Sequence, residues 1–207
     1  MTLIKFCGIT GFFGMTYVNQ TRPDFMGMVF APGSKRRSNF AEAVNISCDL
    51  EKGITPVGVF RDQPIGDILE ITDMPHVIEM VQLHGDESPE YIDDVRSATG
   101  LPVMKAFTVS TKEEASIASQ SAADYIMFDT GAGTGRTFDW SLLEDVERPF
   151  FLAGGLTPEN VGEAIGRLHP YAVDTSSGIE TDGKKDPAKM ERFIEAVRAA
   201  DRRIEDD

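Results

Sequence analysis

Eight short apolar runs recur along the whole chain at intervals of roughly 20–30 residues, and few architectures accommodate that rhythm. They are Leu3–Cys7, Phe25–Phe30, Pro56–Phe60, Val77–His84, Val103–Phe107, Tyr125–Asp129, Phe150–Ala153 and Tyr171–Asp174. Runs this short and this continuously apolar suit strands covered on both faces. Between them lie segments with helical spacing. Ser88-Pro89 sets a cap residue ahead of a first-turn proline, and Tyr91, Ile92 and Val95 follow on one face. Thr111-Lys112-Glu113-Glu114 reads as a capping box. Thr157-Pro158 repeats the cap-then-proline start, Trp140 opens a short sixth helix, and Asp186-Pro187 opens the last one. That last helix runs through Met190, Phe193, Ile194 and Val197, and its tail is expected to fray from about residue 201.

No linker, low-complexity tract or composition shift divides the chain. Eight strand–helix units predict an α/β fold, a single (β/α)8 TIM barrel over residues 1–207. The rival is a doubly wound open sheet. The number of units and the lack of Gly-x-Gly-x-x-Gly after the first strand favour the barrel. In a barrel, function gathers at the C-terminal ends of the strands, so the run ends are best read together.

Composition narrows the partners. A net charge of −14 leaves no basic stripe for nucleic acid. No apolar run approaches the ~18 residues of a membrane span. The first residues lack the apolar core of a secretory signal, and Cys7 and Cys48 sit in unlike contexts, so a disulfide is not expected. A reducing cytoplasm is the expected location.

Taken on their own, the run ends carry the following chemistry. Cys7, followed by Gly8, is either a small buried hydrophobe or a thiol presented at a rim. Ala31–Arg37 holds the basic cluster Lys35-Arg36-Arg37, either solvated or a clamp on a carboxylate or phosphate. His84 is a base, a substrate hydrogen-bonder or a satisfied rim residue, with no metal-ligand spacing around it. Asp129 is an acid or a cap, ahead of a glycine-rich stretch containing Gly133 that lacks the P-loop lysine register. Gly154-Gly155 and Ser176-Ser177-Gly178 close the seventh and eighth runs and are either tight turns only or the place where such barrels hold phosphate on bare backbone N–H groups.

Several stretches together resemble the phosphoribosylanthranilate isomerase family of tryptophan biosynthesis. They are Lys5–Thr10, Val57–Phe60, Gln82–Glu87, Gly133–Trp140, Leu152–Val161 and Val173–Glu180, in family order from end to end. The resemblance implies a cofactor-independent, metal-independent Amadori rearrangement of N-(5-phosphoribosyl)anthranilate. Cys7 would be the general base and Asp129 the general acid. Arg36 would pair with the anthranilate carboxylate and Asp174 would bind ribose-derived hydroxyls. The backbone of Gly154, Gly155, Ser176, Ser177 and Gly178 would hold the phosphate, with Gly133 and His84 lining the site. As a base, Cys7 needs a positive field, because a free thiol has a pKa of about 8.5. As an acid, Asp129 must retain a proton against an ordinary carboxyl pKa of about 3.9.

Two departures stand out. The first helix is Gly11-Phe12-Phe13-Gly14-Met15, whose glycines cost roughly 1 kcal/mol each against Ala and whose Phe pair needs a place to bury. Ser38 follows the basic pair where the family often has an aromatic residue, so either Arg36 or Arg37 could be the clamp. The alternatives are a non-catalytic or differently specific sugar-phosphate barrel, and the related histidine-pathway isomerase, which would call for Asp in place of Cys7. Monomer and homodimer are both compatible with the sequence.

Overall fold

The structure, a computed structural model, describes residues 1–129 and 139–206, so the expectation for Gly133 lies outside the described residues. Eight parallel strands close into a barrel in chain order. They are β1 (Leu3–Cys7), β2 (Phe25–Val29), β3 (Thr55–Phe60), β4 (Met80–Leu83), β5 (Val103–Phe107), β6 (Tyr125–Asp129), β7 (Phe150–Ala153) and β8 (Ala172–Thr175). β8 pairs back onto β1 with Lys5 opposite Asp174, and β1 pairs onto β2 with Cys7 opposite Gly27. The helices are α1 (Gly11–Thr21), α2 (Phe40–Cys48), α3 (Ile65–Thr72), α4 (Pro89–Thr99), α5 (Lys112–Ser119), α6 (Val161–Leu168) and α7 (Pro187–Asp206).

Successive side chains on a strand point to opposite faces, and here that alternation divides the core in two. Ile4, Phe6, Met26, Met28, Ile126 and Phe128 pack outward in the cluster that includes the helices. Phe25, Val57, Met80, Met104, Met127, Phe151 and Ala172 form a second, interior cluster. On β1, β4, β6 and β8 the inward register continues to Lys5 and Cys7, Gln82, Asp129, and Asp174. The barrel axis therefore turns polar toward the strands' C-terminal ends.

The N-cap bonds at Ser88 and Thr111 form, but the capping box at Thr111 closes only halfway, since Glu114 Oε2 accepts from Ser110 N at 2.6 Å and not from Thr111 N. Ser88 Oγ accepts from Tyr91 N at 3.2 Å and Thr111 Oγ1 from Glu114 N at 3.1 Å. The short helix expected at Trp140 also forms, as a four-residue 3-10 helix over Trp140–Leu143, with Asp139 accepting from Ser141 N at 3.0 Å. Three local expectations need correction. Val77 and Ile78 are buried but precede β4, which starts only at Met80. Thr157-Pro158 forms a turn, and α6 begins later, at Val161. Phe12 and Phe13 do not bury. They are 67% and 72% exposed, and their rings meet edge to face with centroids 5.9 Å apart.

The last helix does not end near residue 201. Met190, Phe193, Val197 and Ala200 recur at helical spacing and bury against the barrel, and Asp201 continues that inward face. The buried Asp201 carboxylate accepts from Thr2 N at 2.9 Å and Thr2 Oγ1 at 2.7 Å, while Arg198 Nη1 reaches it at 3.0 Å. This contact ties α7 to the residue before β1. Asp201→Ala should leave the Thr2 donors buried and unpaired, costing about 2 kcal/mol and lowering the melting temperature by about 4–8 °C. Thermal unfolding followed by circular dichroism checks this; an unchanged midpoint would show that the contact contributes nothing.

Candidate active site

The C-terminal rim of the barrel brings most of the expected residues to one mouth. A cavity of about 330 Å³ is lined by Arg36, Asp129, Gly154, Gly155, Asp174, Ser176 and Ser177, together with Ala153, Leu156 and Thr175. Gly154 and Gly155 have φ of +94° and +65°, a conformation side-chain-bearing residues rarely adopt, so bare backbone faces the cavity there. Gly178 stands just beyond, packed so closely on the Leu156 carbonyl that no Cβ would fit.

Cys7 ends β1 at 9% exposure, on the inward register. Two residues before it, Lys5 is fully buried, and its Nζ donates to Asp174 Oδ1 at 2.8 Å. The same ammonium lies beside the thiol, both facing Gly27, and acts on it electrostatically. Gly27 makes the arrangement possible: a Cβ there would press on both Cys7 Sγ and Lys5 Nζ. Burial pushes the Cys7 thiol above its ordinary value, and the cations Lys5 and Lys185 pull it partway back. The positive field expected from the sequence is therefore present but outweighed by burial. Burial alone would lower the Lys5 ammonium, but Asp174 and Cys7 more than compensate and raise it, so it stays charged.

Asp129 ends β6 with its side chain 23% exposed, and its Oδ2 lies 3.0 Å from His84 Nε2. A second cavity of about 560 Å³, lined by His84, Lys105 and Phe107 among others, shares Asp129 with the first. His84 is thus a direct neighbour of Asp129, a relation its position 45 residues earlier in the chain could not reveal.

Of the two candidate arginines, Arg36 lines the cavity and Arg37 is exposed. The loop after β2 holds Arg36 in place: Ser34 Oγ accepts from Arg36 N at 3.1 Å, and Ser38 N donates to Val29 O at 2.8 Å. Arg36 is also engaged by a residue not singled out in the sequence, Glu180. Nε and Nη2 of Arg36 donate to Glu180 Oε1 and Oε2 at 2.7 and 2.6 Å. Lys185 was likewise missed; its Nζ donates to Ser176 O at 2.9 Å and to Glu180 Oε1 at 2.8 Å. Among the described residues, no group of three or more His, Cys, Asp or Glu side chains could hold a metal ion, and no helix is long and apolar enough to cross a membrane.

Comparison with known proteins covers nearly the whole chain. The family model described as N-(5'phosphoribosyl)anthranilate (PRA) isomerase matches residues 4–196. A protein of Caldanaerobacter subterraneus subsp. tengcongensis called N-(5'-phosphoribosyl)anthranilate isomerase is 41% identical, over 96% of this chain and 98% of its own. The crystal structure of phosphoribosyl anthranilate isomerase from Thermotoga maritima superposes with a TM-score of 0.87 at 36% identity, covering 96% of this chain and 100% of that one. A second structure of such an isomerase, in complex with reduced 1-(o-carboxyphenylamino)-1-deoxyribulose 5-phosphate, gives a TM-score of 0.84 at 36% identity with the same coverage. The chain belongs to the N-(5'-phosphoribosyl)anthranilate isomerase family, enzymes of tryptophan biosynthesis that catalyse an intramolecular isomerisation.

Proposed function

We propose that the chain converts N-(5-phosphoribosyl)anthranilate to 1-(2-carboxyphenylamino)-1-deoxyribulose 5-phosphate, with Asp129 as general acid and Cys7 as general base. The observation that carries the reading is the cavity itself. Strand tips distant in sequence supply one wall with an arginine, a carboxyl and two glycine-backed turns, and Lys5 and Asp174 connect that wall to Cys7.

The chemistry needs two proton transfers. Asp129 gives its proton to the furanose ring oxygen; the C1–O bond breaks and the anthranilate nitrogen takes up the positive charge as a Schiff base. Cys7 then removes the proton from C2, and those electrons neutralise the iminium to give an enolamine, which tautomerises to the ketone. His84 Nε2 stands 3.0 Å from Asp129 Oδ2, within reach to exchange a proton with it. Arg36 pairs with the anthranilate carboxylate. The backbone of Gly154, Gly155, Ser176, Ser177 and Gly178 receives the phosphate, and Asp174 meets the ribose-derived hydroxyls. None of these steps draws on a cofactor.

Cys7→Ala and Asp129→Asn should each lower kcat by about 10²–10⁴-fold. The loss of substrate fluorescence on turnover measures this; near-normal turnover in either variant removes that residue from its role.

The pH profile follows from the raised thiol. The working form has no proton on Cys7 and one on Asp129. Shifting that proton onto Cys7 gives a form with the same total charge, so the two forms keep a constant ratio across neutrality. Acid adds a proton and alkali removes one, and both deplete the working form. kcat/KM should therefore be bell-shaped, with an alkaline limb set by the thiol and lying above the ~8.5 of an ordinary cysteine. A rate constant from acid through alkaline pH would contradict the acid–base pair.

A further inference from the structure

Glu180 and Lys185 belong to no part of the mechanism so far, yet the fold goes to some length to place them. They face each other across a two-rung antiparallel hairpin, Glu180–Thr181 against Lys184–Lys185, that follows β8 and turns at Asp182-Gly183. The hairpin is fastened to the start of α7: Asp186 N donates to Ile179 O at 2.9 Å, and Thr181 Oγ1 donates to Asp186 Oδ2 at 2.6 Å. Both side chains are nearly sealed, at 7% exposure for Glu180 and 6% for Lys185.

The Arg36 guanidinium has two edges on which it can grip a carboxylate. Glu180 takes the edge formed by Nε and Nη2. The edge bearing Nη1 is not taken by Glu180, and Arg36 is 36% exposed and lines the cavity where Glu180 is buried. Two cations and one anion make this trio net positive, so it still attracts an anion. Arg36 is long and flexible, and without a tether its ordering would have to be supplied on binding.

We propose that Glu180 is a positioning residue for substrate recognition, holding Arg36 by its inner edge so that the outer edge meets the substrate's carboxylate, with Lys185 bracing Glu180. This rests on the reading of Arg36 as the carboxylate clamp. Glu180 works through Arg36 and touches no reacting atom. Its loss should therefore weaken recognition of the carboxylate and leave the chemical step largely intact.

The test compares two ligands on the full chain: reduced 1-(2-carboxyphenylamino)-1-deoxyribulose 5-phosphate and its phenylamino counterpart lacking the carboxylate. Dissociation constants are measured for the unsubstituted protein, Arg36→Ala and Glu180→Gln. Glu180→Gln should weaken the carboxylated ligand about tenfold or more and the carboxylate-free one less than about twofold, with KM rising and kcat within about threefold. Equal weakening of both ligands would mean a merely structural role. Tighter binding of the carboxylated ligand would mean that Glu180 competes with the substrate for Arg36. Either result overturns the proposal, as does no change. If Arg36→Ala weakens both ligands alike, the clamp reading itself falls and the proposal with it. If only Arg36→Ala discriminates between them, the proposal alone fails. Should Glu180→Gln fold poorly, the same comparison is made with Glu180→Gln/Lys185→Met, which leaves no unpaired lysine behind.

Discussion

A lysine ammonium sealed inside the barrel, between a carboxylate and a thiol, is the interaction on which the mouth of this protein depends. An unpaired charge at full burial costs several kcal/mol, so Lys5 is tolerable only with partners in contact. The register across β1 and β8 supplies one by setting Lys5 opposite Asp174. The alternation along β1 supplies the other by returning Cys7 to the same face two residues on. Gly27, opposite Cys7 on β2, leaves room for both side chains. A single closure of the barrel thus sets a positive charge beside the thiol and joins that thiol to the wall of the cavity through Asp174.

The same logic extends around the rim. Although the chain carries a net charge of −14, the mouth concentrates cations at Lys5, Arg36 and Lys185. Asp129, Asp174 and Glu180 offset those three charges, so the mouth carries far less negative charge than the molecule around it and repels an anion least. Each cation is tethered: Lys5 by Asp174, and Arg36 and Lys185 by Glu180. Burial would raise the Glu180 carboxyl, but these two cations hold it below its ordinary range, so it keeps its charge between them. Asp129, in the same lining, lies 3.0 Å from His84.

Much of this was legible in the sequence because it depends on local periodicity. Runs such as Leu3–Cys7 and Tyr125–Asp129 carry their own strand signal, and a chemically distinctive residue at the end of each marks the rim. The glycine-rich tips after β7 and β8 are legible for the same reason. What local pattern could not supply is partner choice across long separations. Arg36 and Glu180 are 144 residues apart, and Asp201 and Thr2 are 199 apart. Asp201 reads as the start of a polar tail until its carboxylate is seen to close the molecule onto Thr2. The Phe12-Phe13 pair shows the converse limit, since apolar composition suggested burial where the helix turns both rings outward. Likewise, a positive field at Cys7 could be required on chemical grounds, but the opposing weight of burial appears only once the side chains are packed.

The most direct measurement is the pH dependence of Cys7 alkylation by iodoacetamide, made in a Cys48→Ser background so that one thiol reports. Unsubstituted at Lys5, the protein should show a thiol pKa above that of a free cysteine, and Lys5→Met should move it higher still. If Lys5→Met disturbs folding, Lys5→Met/Asp174→Asn removes both charges and should still raise the thiol, because Lys5 is the stronger of the two influences on it. A thiol pKa that stays the same or falls when the ammonium is removed would contradict the dependence of the base on Lys5.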